Sequence, residues 1–346
     1  MILLCIALML ALYWFIPQLT KKKQLYFVIA ACTILVLYAS LRAHNLQPDI
    51  PIYVRYYRLY SMRSLTGILS VFKSELKDPV YYFVAWVFSR VFSDPQFWLA
   101  FVALIYTLAV GFFLYKDSKN PLLSIIAFIS LTYFEFSLSG LRQTLAMAFT
   151  TFAYFAVKHK KLIPFLALVF IASLFHRSAL IFLLIYPIAH TKVGKWHAIV
   201  AGISGVLFLT GESYIRSLLF RYLEDTQYES YADRSVSLTI SGFVIQLAIF
   251  VFCFVYYKAV LKKYEHANVL YNLAFLGLIF QLFSSMIAEV FRISMYFSIF
   301  NIALIPMAIS AEGDKKTQFI ETASIILLFI AYIFLNGVPP YEVFWR

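Results

Sequence analysis

The sequence predicts an all-α, polytopic membrane protein with about twelve transmembrane segments, and three observations carry this prediction. The 346 residues are 62% apolar and only 13% charged, and the mean hydropathy is +0.81. Runs of about 20 apolar residues, the length of a helix that crosses a bilayer, recur along the whole chain. The runs at 97–115 and 237–257 are continuous, which indicates helices, because strands of a membrane barrel would alternate apolar and polar residues.

Each candidate span is bounded by charged or turn residues. The spans are 2–19, 24–41, 96–115, 121–138, 141–157, 162–174, 178–190, 196–212, 237–257, 268–288, 293–310 and 318–336. The first run has no basic residue before it and is followed by Lys21, Lys22 and Lys23. We therefore expect a retained helix with an external N-terminus instead of a cleaved signal peptide. We expect residues 1–346 to form a single integral membrane domain.

Two segments need an interpretation beyond their average hydropathy. The segment 162–190 is too long for one ordinary span and too short for two full ones. We therefore predict a pair of short helices that meet at residues 175–178. We interpret the short apolar run at 79–92 as an interfacial or re-entrant helix on the outer side, within a large external loop at 42–95. A second external loop is predicted at 213–236.

Lysine and arginine separate to opposite sides of this topology. Fifteen of the seventeen lysines fall in cytoplasmic loops, as the positive-inside rule predicts. All twelve arginines fall on the external side, where that rule predicts few basic residues. Because guanidinium groups bind phosphate and carboxylate groups, we predict an anionic substrate at the outer face. The cytoplasmic loops account for the net charge of +12, so we predict no nucleic acid partner.

The motifs point away from metals and cofactors. Cys5, Cys32 and Cys253 lie within apolar runs at no metal-ligand spacing, which supports neither a disulfide framework nor a zinc site. The sequence contains no glycine-rich phosphate loop and no HExxH motif. We predict neither a metal site nor a cofactor.

Ionisable residues gather at the predicted external boundary of the spans. Such residues are costly there without a polar cavity or a partner, so they mark a candidate functional site. They are Glu135, Arg142, His176, Arg177, Glu289 and Arg292. The other histidines in apolar surroundings fall in or beside predicted cytoplasmic loops, whereas His176 shares the arginine-rich side. This distribution favours a functional role for His176.

Arg142 and His176 lie at opposite ends of one predicted helical hairpin. We interpret Ser139 as an N-cap and Gly140 as a turn residue, which places Arg142 in a first helical turn. Unpaired backbone N–H groups and the helix dipole favour an anion there, so we predict a phosphate site. An alternative is that Arg142 and Arg292 only anchor their helices by snorkelling. Glu289 and Arg292 alternatively form a structural ion pair, three residues apart on one helix face.

The first external loop adds three candidate residues. Arg42, Asp49 and Tyr53 lie in a stretch that mixes charged and aromatic side chains. Its tyrosines form either an interfacial aromatic belt or stacking platforms for a sugar. Both interpretations remain open.

Four stretches carry a resemblance to a known family. Residues 139–148 read SGLRQTLAMA, residues 172–180 read ASLFHRSAL, residues 289–297 read EVFRISMYF, and residues 78–81 read DPVY. Together they resemble the EpsG family of Wzy-type bacterial polysaccharide polymerases, and the similarity extends over most of the chain. The resemblance implies a glycosyltransferase in the bacterial cytoplasmic membrane that joins glycan repeat units at the outer face. Its substrate would be an oligosaccharide linked through pyrophosphate to an undecaprenyl carrier, and its product O-antigen, capsule or exopolysaccharide.

The chemistry that the resemblance implies suits the candidate residues. Arg142 and Arg292 would stabilise the negative charge that develops on the leaving pyrophosphate, without a metal. The base that accepts the proton of the attacking hydroxyl is His176 or a carboxylate, and we favour His176. The expected substrate-binding residues are Arg42, Asp49, Tyr53, Glu135, Arg177 and Glu289. The resemblance also implies two further partners, membrane lipid and a chain-length regulator protein.

Two other classes remain as alternatives. A flippase or transporter would use the same arginines to bind an anionic lipid-linked glycan without breaking it, although no internal repeat is evident. A membrane acyltransferase would use His176 as its base, although no accompanying motif is present. All three classes predict a polar cavity, so a cavity alone does not distinguish them.

Overall fold

The computed structural model of the chain describes residues 1–15, 20–73, 78–211, 240–287 and 289–345. Within these ranges the regular elements are all helices, which confirms the predicted all-α class. The first α-helices are α1 (Ile2–Phe15), α2 (Lys21–Ser40), α3 (Ile50–Ser61), α4 (Leu65–Leu69), α5 (Pro79–Ser89), α6 (Pro95–Asp117), α7 (Pro121–Ser130), α8 (Tyr133–Ser137) and α9 (Leu141–Lys158). They are followed by α10 (Leu162–Phe175), α11 (Ile185–Ile188), α12 (Lys195–Thr210), α13 (Ser241–Val255), α14 (Tyr257–Lys263), α15 (Ala267–Phe283), α16 (Val290–Ser298), α17 (Asn301–Ala311) and α18 (Lys315–Leu335). Short 3-10 helices cover Ser70–Lys73 and Arg177–Leu184.

The predicted count of twelve membrane spans is not confirmed. In the described ranges three helices, α2, α6 and α18, are long and apolar enough to cross a membrane. The count reaches five if α13 with α14 and α16 with α17 each form one span, bent by 61° and 41° respectively. Most of the other predicted spans correspond to apolar helices of 10–17 residues, which are shorter than a full crossing requires.

Two further predicted spans are interrupted. The span 121–138 divides into α7 and α8, because Thr132 adopts a left-handed φ of 65° and a right-handed helix cannot continue through it. The span 178–190 is instead the 3-10 helix Arg177–Leu184 followed by the four-residue α11. Pro187 lies in α11 and lacks the N–H that would bond to the carbonyl of residue 183, which disfavours a continuous α-helix there.

The chain forms two compact units. Unit 1 contains Met1–Leu183 and Ile302–Arg346, and unit 2 contains Leu184–Asn301. The expected single domain over residues 1–346 and the external position of loop 42–95 stay predictions. The predicted loop 213–236 lies outside the described residues.

Helix α6 organises the packing of unit 1. It begins where the Asp94 side chain accepts a hydrogen bond from the backbone N–H of Gln96 at 2.9 Å, with Pro95 in the first helical position. Trp98, Tyr106 and other large apolar side chains are buried along its length. Helix α6 packs against α2 and α9, and α9 in turn packs against α10. This packing fixes the position of α9, which carries Arg142.

A buried aromatic cluster joins α3 and α5 to the start of α6. Its largest members are Tyr57, Tyr60, Tyr81, Tyr82 and Trp98. The indole N–H of Trp98 donates to the hydroxyl of Tyr81 at 2.8 Å, and the Tyr57 hydroxyl donates to the carbonyl of Phe92 at 2.5 Å. Because the polar atoms of Tyr57, Tyr81 and Trp98 are paired, these three rings can be buried at little cost. Much of the predicted loop 42–95 is therefore packed helical structure.

The C-terminal segment returns to the end of α2. The backbone N–H of Ala43 donates to the carbonyl of Glu342 at 2.9 Å, and the N–H of Phe344 donates to the carbonyl of Leu41 at 3.0 Å. These bonds form an isolated antiparallel bridge. Residues 342–344 thus pair with the connection between α2 and α3.

In unit 2, the side chain of Asn272 on α15 is fully buried and bridges several segments. Its amide N–H groups donate to the carbonyls of Ala189 and Thr191 at 3.2 and 2.8 Å. Its oxygen lies 2.7 Å from Nε2 of His197, which therefore donates. These bonds hold α15 against the chain between α11 and α12.

Candidate functional site

The side chain of Asp78, immediately before α5, accepts three hydrogen bonds. Its Oδ2 atom accepts one from Nη1 of Arg142 at 3.0 Å and one from Nδ1 of His176 at 2.8 Å. Its Oδ1 atom accepts one from the backbone N–H of Arg177 at 3.1 Å. The Asp78 side chain is only 4% exposed. Asp78, Arg142 and His176 form what we call the Asp78 cluster, and the donors around its carboxylate favour the ionised form.

The local sequence explains why Asp78 points away from its own helix. Its backbone is left-handed, with φ 57° and ψ 55°, a conformation that aspartate adopts more readily than most residues. Pro79 follows in the first position of α5, where no N–H donor is needed. Asp78 occupies the N-cap position, but its side chain makes no capping bond. The carboxylate instead faces α9 and α10.

His176 occupies the break between α10 and the following 3-10 helix. Its N–H closes α10 by donating to the carbonyl of Ala172 at 3.0 Å, and its own backbone is extended, with φ −156° and ψ 114°. The 3-10 helix begins at the next residue, Arg177. This turn directs the ring of His176 and the N–H of Arg177 to the same carboxylate. The break lies at the predicted meeting point of the two short helices.

Arg142 lies in the first turn of α9, as the sequence predicted, but the cap differs. Gly140 is the N-cap, and the hydroxyl of Ser139 donates to Oδ2 of Asp49 at 3.4 Å instead. A Cβ atom on Gly140 would lie 2.6 Å from Cζ of Phe136. A side chain at residue 140 would therefore displace the Phe136 ring, and the predicted role of Ser139 as the cap is corrected.

The aromatic cluster supports Arg142 from the other side. The Nε atom of Arg142 donates to the hydroxyl of Tyr53 at 3.3 Å. The Tyr53 ring lies edge-on against the buried ring of Tyr81, with centroids 5.6 Å apart. The side chains of Arg142 and His176 are 24% and 21% exposed. Both therefore reach the surface of the unit, whereas the carboxylate that holds them does not.

Opposing effects act on the pKa of Asp78. Burial raises the pKa of this carboxyl, because it disfavours the charged form. The hydrogen bond from His176, the positive charge that its ring carries when protonated, the charge of Arg142 and the N–H of Arg177 together outweigh burial. The pKa of Asp78 consequently lies below its usual value, and the carboxyl is ionised at neutral pH.

The ionised carboxylate fixes the tautomer of His176. A carboxylate only accepts hydrogen bonds, so Nδ1 of His176 carries the proton and Nε2 of the neutral ring holds a lone pair. Within the described residues, Nε2 makes no hydrogen bond. The cluster therefore presents a histidine able to accept a proton, next to a guanidinium that can stabilise an anion.

Two predicted residues lie in a separate cavity of unit 1. The Arg42 side chain is buried and donates to the carbonyls of Ala39 and Leu138 at 2.5 and 2.8 Å. Burial lowers the pKa of the Arg42 guanidinium to about 10, which leaves it charged at neutral pH. Glu135, on α8, is half-buried and lines the same cavity of about 50 Å³. Arg42 thereby holds the backbone just before α9.

The other predicted residues divide between the two units. Asp49 and Tyr53 lie beside the Asp78 cluster, and Arg177 contributes its backbone N–H while its side chain is exposed. Glu289 and Arg292 belong to unit 2, at the N-cap and in the first turn of α16, and both are half-buried. Their roles stay predictions.

Asp78 is the residue that sequence reasoning missed as part of the site. An aspartate before a proline and an apolar run indicates an ordinary helix start, which gave no reason to single it out. Its partners lie 64 and 98 residues away in the chain. The only signal was its place in the DPVY stretch that carries the family resemblance.

No group of three or more His, Cys, Asp or Glu side chains that could hold a metal ion occurs among the described residues. Metal independence and the absence of a cofactor stay predictions.

The sequence profile of the EpsG family matches residues 2–341, nearly the whole chain. The chain therefore belongs to the EpsG family, a family of Wzy-like polysaccharide polymerases. It is accordingly a membrane protein of polysaccharide biosynthesis, with a glycosyltransferase-like polymerase activity. No curated protein and no solved structure matches the chain.

Proposed function

We propose that this chain polymerises glycan repeat units carried on undecaprenyl pyrophosphate, at the outer face of the cytoplasmic membrane. The observation that carries the proposal is the Asp78 cluster, which combines a proton acceptor with a guanidinium in one half-exposed site. A transporter of the same lipid needs the cation but not the acceptor. The pairing of the two therefore favours group transfer.

In the proposed reaction His176 is the base and Arg142 stabilises the leaving group. The hydroxyl at the non-reducing end of the incoming unit gives its proton to Nε2 of His176 as its oxygen bonds to the anomeric carbon of the growing glycan. The bond between that carbon and the carrier pyrophosphate breaks, and the electron pair leaves with the pyrophosphate. Negative charge then develops beside Arg142, where a preorganised cation is most effective.

Asp78 acts through its two neighbours. Its carboxylate holds His176 in the tautomer that leaves Nε2 able to accept a proton, and it stabilises the imidazolium that forms. It also orients the guanidinium of Arg142 together with Tyr53. Asp78 is therefore a positioning residue, and the reaction uses no group outside the chain and its substrates.

The test is chain growth by the purified protein in lipid nanodiscs supplied with the lipid-linked repeat unit. We expect polymer and released undecaprenyl pyrophosphate from the unmodified chain, and a loss of about 10²–10⁴-fold for His176→Ala. His159→Ala, an exposed histidine at the end of α9, is the matched control and should retain full activity.

Three outcomes would contradict the proposal. Unchanged substrate with the folded, unmodified protein excludes the polymerase. Movement of the intact lipid-linked unit across a vesicle membrane, without chain growth, identifies a transporter. Full activity of both His176→Ala and Arg142→Ala would show that the reaction takes place in another part of the chain.

A further inference from the structure

The arginines around α3 and α5 differ in how their side chains are used. Arg42 is buried against backbone carbonyls. Arg63 lies over the Tyr60 ring at 4.9 Å and donates to the carbonyl of Gly67 at 3.2 Å. Arg90 lies over the Trp86 ring at 4.8 Å and donates to the carbonyl of Ser61. These three guanidinium groups already have structural contacts within unit 1.

Arg55 and Arg58 are different. Both side chains are exposed, and neither makes a hydrogen bond or an ion pair within the part of the chain that the structure describes. They are three residues apart on α3, so their side chains project from the same face of the helix. Two cations held side by side repel each other, and an anion between them would relieve that repulsion.

These two arginines line an open groove of about 420 Å³ in unit 1. Its far wall is the connection after α2, at His44 and Asn45, and its near wall includes Pro51 and Val54 of α3. Among the described residues no carboxylate lines the groove. Its charged side chains are therefore all cationic, which makes it complementary to an anion.

One ring nitrogen of His44 makes a hydrogen bond within unit 1, and the other makes none among the described residues. The amide N–H groups of Gln96 donate to the carbonyls of Ser40 and Arg42, so its Oε1 atom must accept at 2.5 Å from Nε2 of His44. His44 thus carries a proton on Nε2. Its Nδ1 atom, once protonated, is a further donor for an anion in the groove.

Helix α3 separates this groove from the Asp78 cluster. Tyr53 and Tyr57 occupy one face, where Tyr53 contacts Arg142 and Tyr57 belongs to the aromatic cluster. Arg55 and Arg58 occupy the face that borders the groove. An α-helix with its side chains is about 10 Å in diameter, so two anions could bind on opposite sides of α3 at once.

We propose that the groove formed by His44, Arg55 and Arg58 binds the pyrophosphate of the acceptor lipid. The inference rests on the proposed function, in which two lipid-linked pyrophosphates are present together and only one leaves. The Asp78 cluster serves the donor, whose pyrophosphate departs beside Arg142. The acceptor keeps its pyrophosphate throughout and needs a cationic site away from the reacting bond, which this groove supplies. Phosphate on a phospholipid headgroup has the same chemistry, and the experiments below separate the two sources.

The first experiment measures binding without turnover. Phenylglyoxal modifies accessible arginines, and mass spectrometry reports each site separately. With the protein in zwitterionic phosphatidylcholine nanodiscs, we expect millimolar inorganic pyrophosphate to reduce the labelling of Arg55 and Arg58 about fivefold or more. Arg90, which is exposed but stacked on Trp86, is the internal control and should label equally with and without pyrophosphate. Equal labelling of Arg55 and Arg58 in both conditions overturns the proposal.

The same labelling identifies the source of the phosphate. In nanodiscs that contain anionic phosphatidylglycerol and no pyrophosphate, we expect Arg55 and Arg58 to label as strongly as in phosphatidylcholine. Protection by phosphatidylglycerol alone would assign the groove to a membrane headgroup and overturn its assignment to the acceptor. This readout does not depend on chain growth, so it fails or succeeds separately from the proposed polymerase.

The second experiment measures the acceptor in the reaction itself. With a fixed amount of polymer-bearing donor, Arg55→Gln/Arg58→Gln should raise the KM for the lipid-linked repeat unit about tenfold and change kcat less than about twofold. Lys315→Gln/Lys316→Gln, which removes two exposed charges at the start of α18, is the matched control and should change neither constant. An unchanged KM, or a fall in kcat alone, excludes the groove as the acceptor site.

Discussion

At each end of α9 a buried aspartate pairs with a cation. The two sites differ in whether they also leave a nitrogen atom that can accept a proton. At the first end, Asp78 binds Arg142 and His176. At the last end, Oδ1 of Asp117 accepts from Nζ of Lys158 at 2.5 Å, and its Oδ2 accepts from the hydroxyl of Tyr154. The side chains of Asp117 and Lys158 are 7% and 18% exposed. By burial alone the two pairs look alike.

Chemistry and chain connections distinguish them. Lys158 and Tyr154 both belong to α9, so the Asp117 pair ties α9 to the end of α6, and it contains no histidine. The Asp78 cluster joins three separate segments at two helix starts and a helix break, and it leaves Nε2 of His176 able to accept a proton. A buried ion pair by itself therefore indicates packing, and the added histidine and the broken helix indicate a reactive site.

The largest expected effect comes from changing the two aspartates to asparagine. Asp78→Asn removes the charge that orients His176 and stabilises its protonated form, so we expect kcat for chain growth to fall about 10²-fold or more, with little change in KM. Asp117→Asn leaves Lys158 without its counter-ion, so we expect it to lower the free energy of unfolding by about 2–4 kcal/mol while the remaining folded protein keeps its kcat.

Steady-state kinetics and thermal unfolding of both variants in nanodiscs measure this contrast. Asp78→Glu should restore part of kcat, because it returns the carboxylate with a longer reach. If Asp117→Asn lowers kcat as much as Asp78→Asn does, the two ends of α9 do not differ in the way that we infer.

A smaller effect is expected at Gly140, which begins the α9 turn that carries Arg142. A methyl group there meets the Phe136 ring at 2.6 Å, so Gly140→Ala should lower the free energy of unfolding by about 1–3 kcal/mol. Gly202, within α12, has nothing within 4 Å of an added Cβ, so Gly202→Ala should be neutral or stabilising by up to about 1 kcal/mol. Thermal unfolding of both variants compares them, and equal destabilisation would contradict the required close approach at Gly140.

The smallest effect is a dependence of stability on pH. The pKa of Asp78 is lower in the folded protein than its ordinary value, so its ionised form stabilises the fold. This contribution is fully present above about pH 4, the ordinary pKa of aspartate, and is lost as the pH falls through the lowered pKa. The difference in unfolding temperature between the unmodified chain and Asp78→Asn should therefore shrink below about pH 4. A difference that stays constant to pH 3 would exclude this linkage.

The hairpin that carries Arg142 and His176 could be predicted from the sequence. The Asp78 carboxylate that binds both residues could not. Apolar runs ending at Lys158–Lys161 and at residue 175 indicated two helices of opposite direction. No local pattern indicated that Asp78 would turn away from α5, because the partners that draw it away are remote in sequence. Hydropathy also located the apolar helices better than it predicted the number of spans. It contains no information on backbone conformation, such as the left-handed Thr132 that divides one predicted span.

Arg42 illustrates the same limit on prediction. Its place among the arginines of the predicted external side favoured substrate binding, a role that stays a prediction, and the structure adds that its guanidinium donates to the carbonyls of Ala39 and Leu138. Composition cannot separate an arginine held by the backbone from one that faces a groove, such as Arg55. That distinction depends on tertiary packing.

The pairing of the C-terminal segment with the end of α2 has a consequence for biogenesis. Residues 41–43 form their backbone bonds with residues 342–344, which are synthesised after all of unit 2. All of unit 2 is synthesised between the two parts of unit 1, so these backbone bonds beside Arg42 cannot form until unit 2 has been made. A product that stops within unit 2 would therefore lack this pairing.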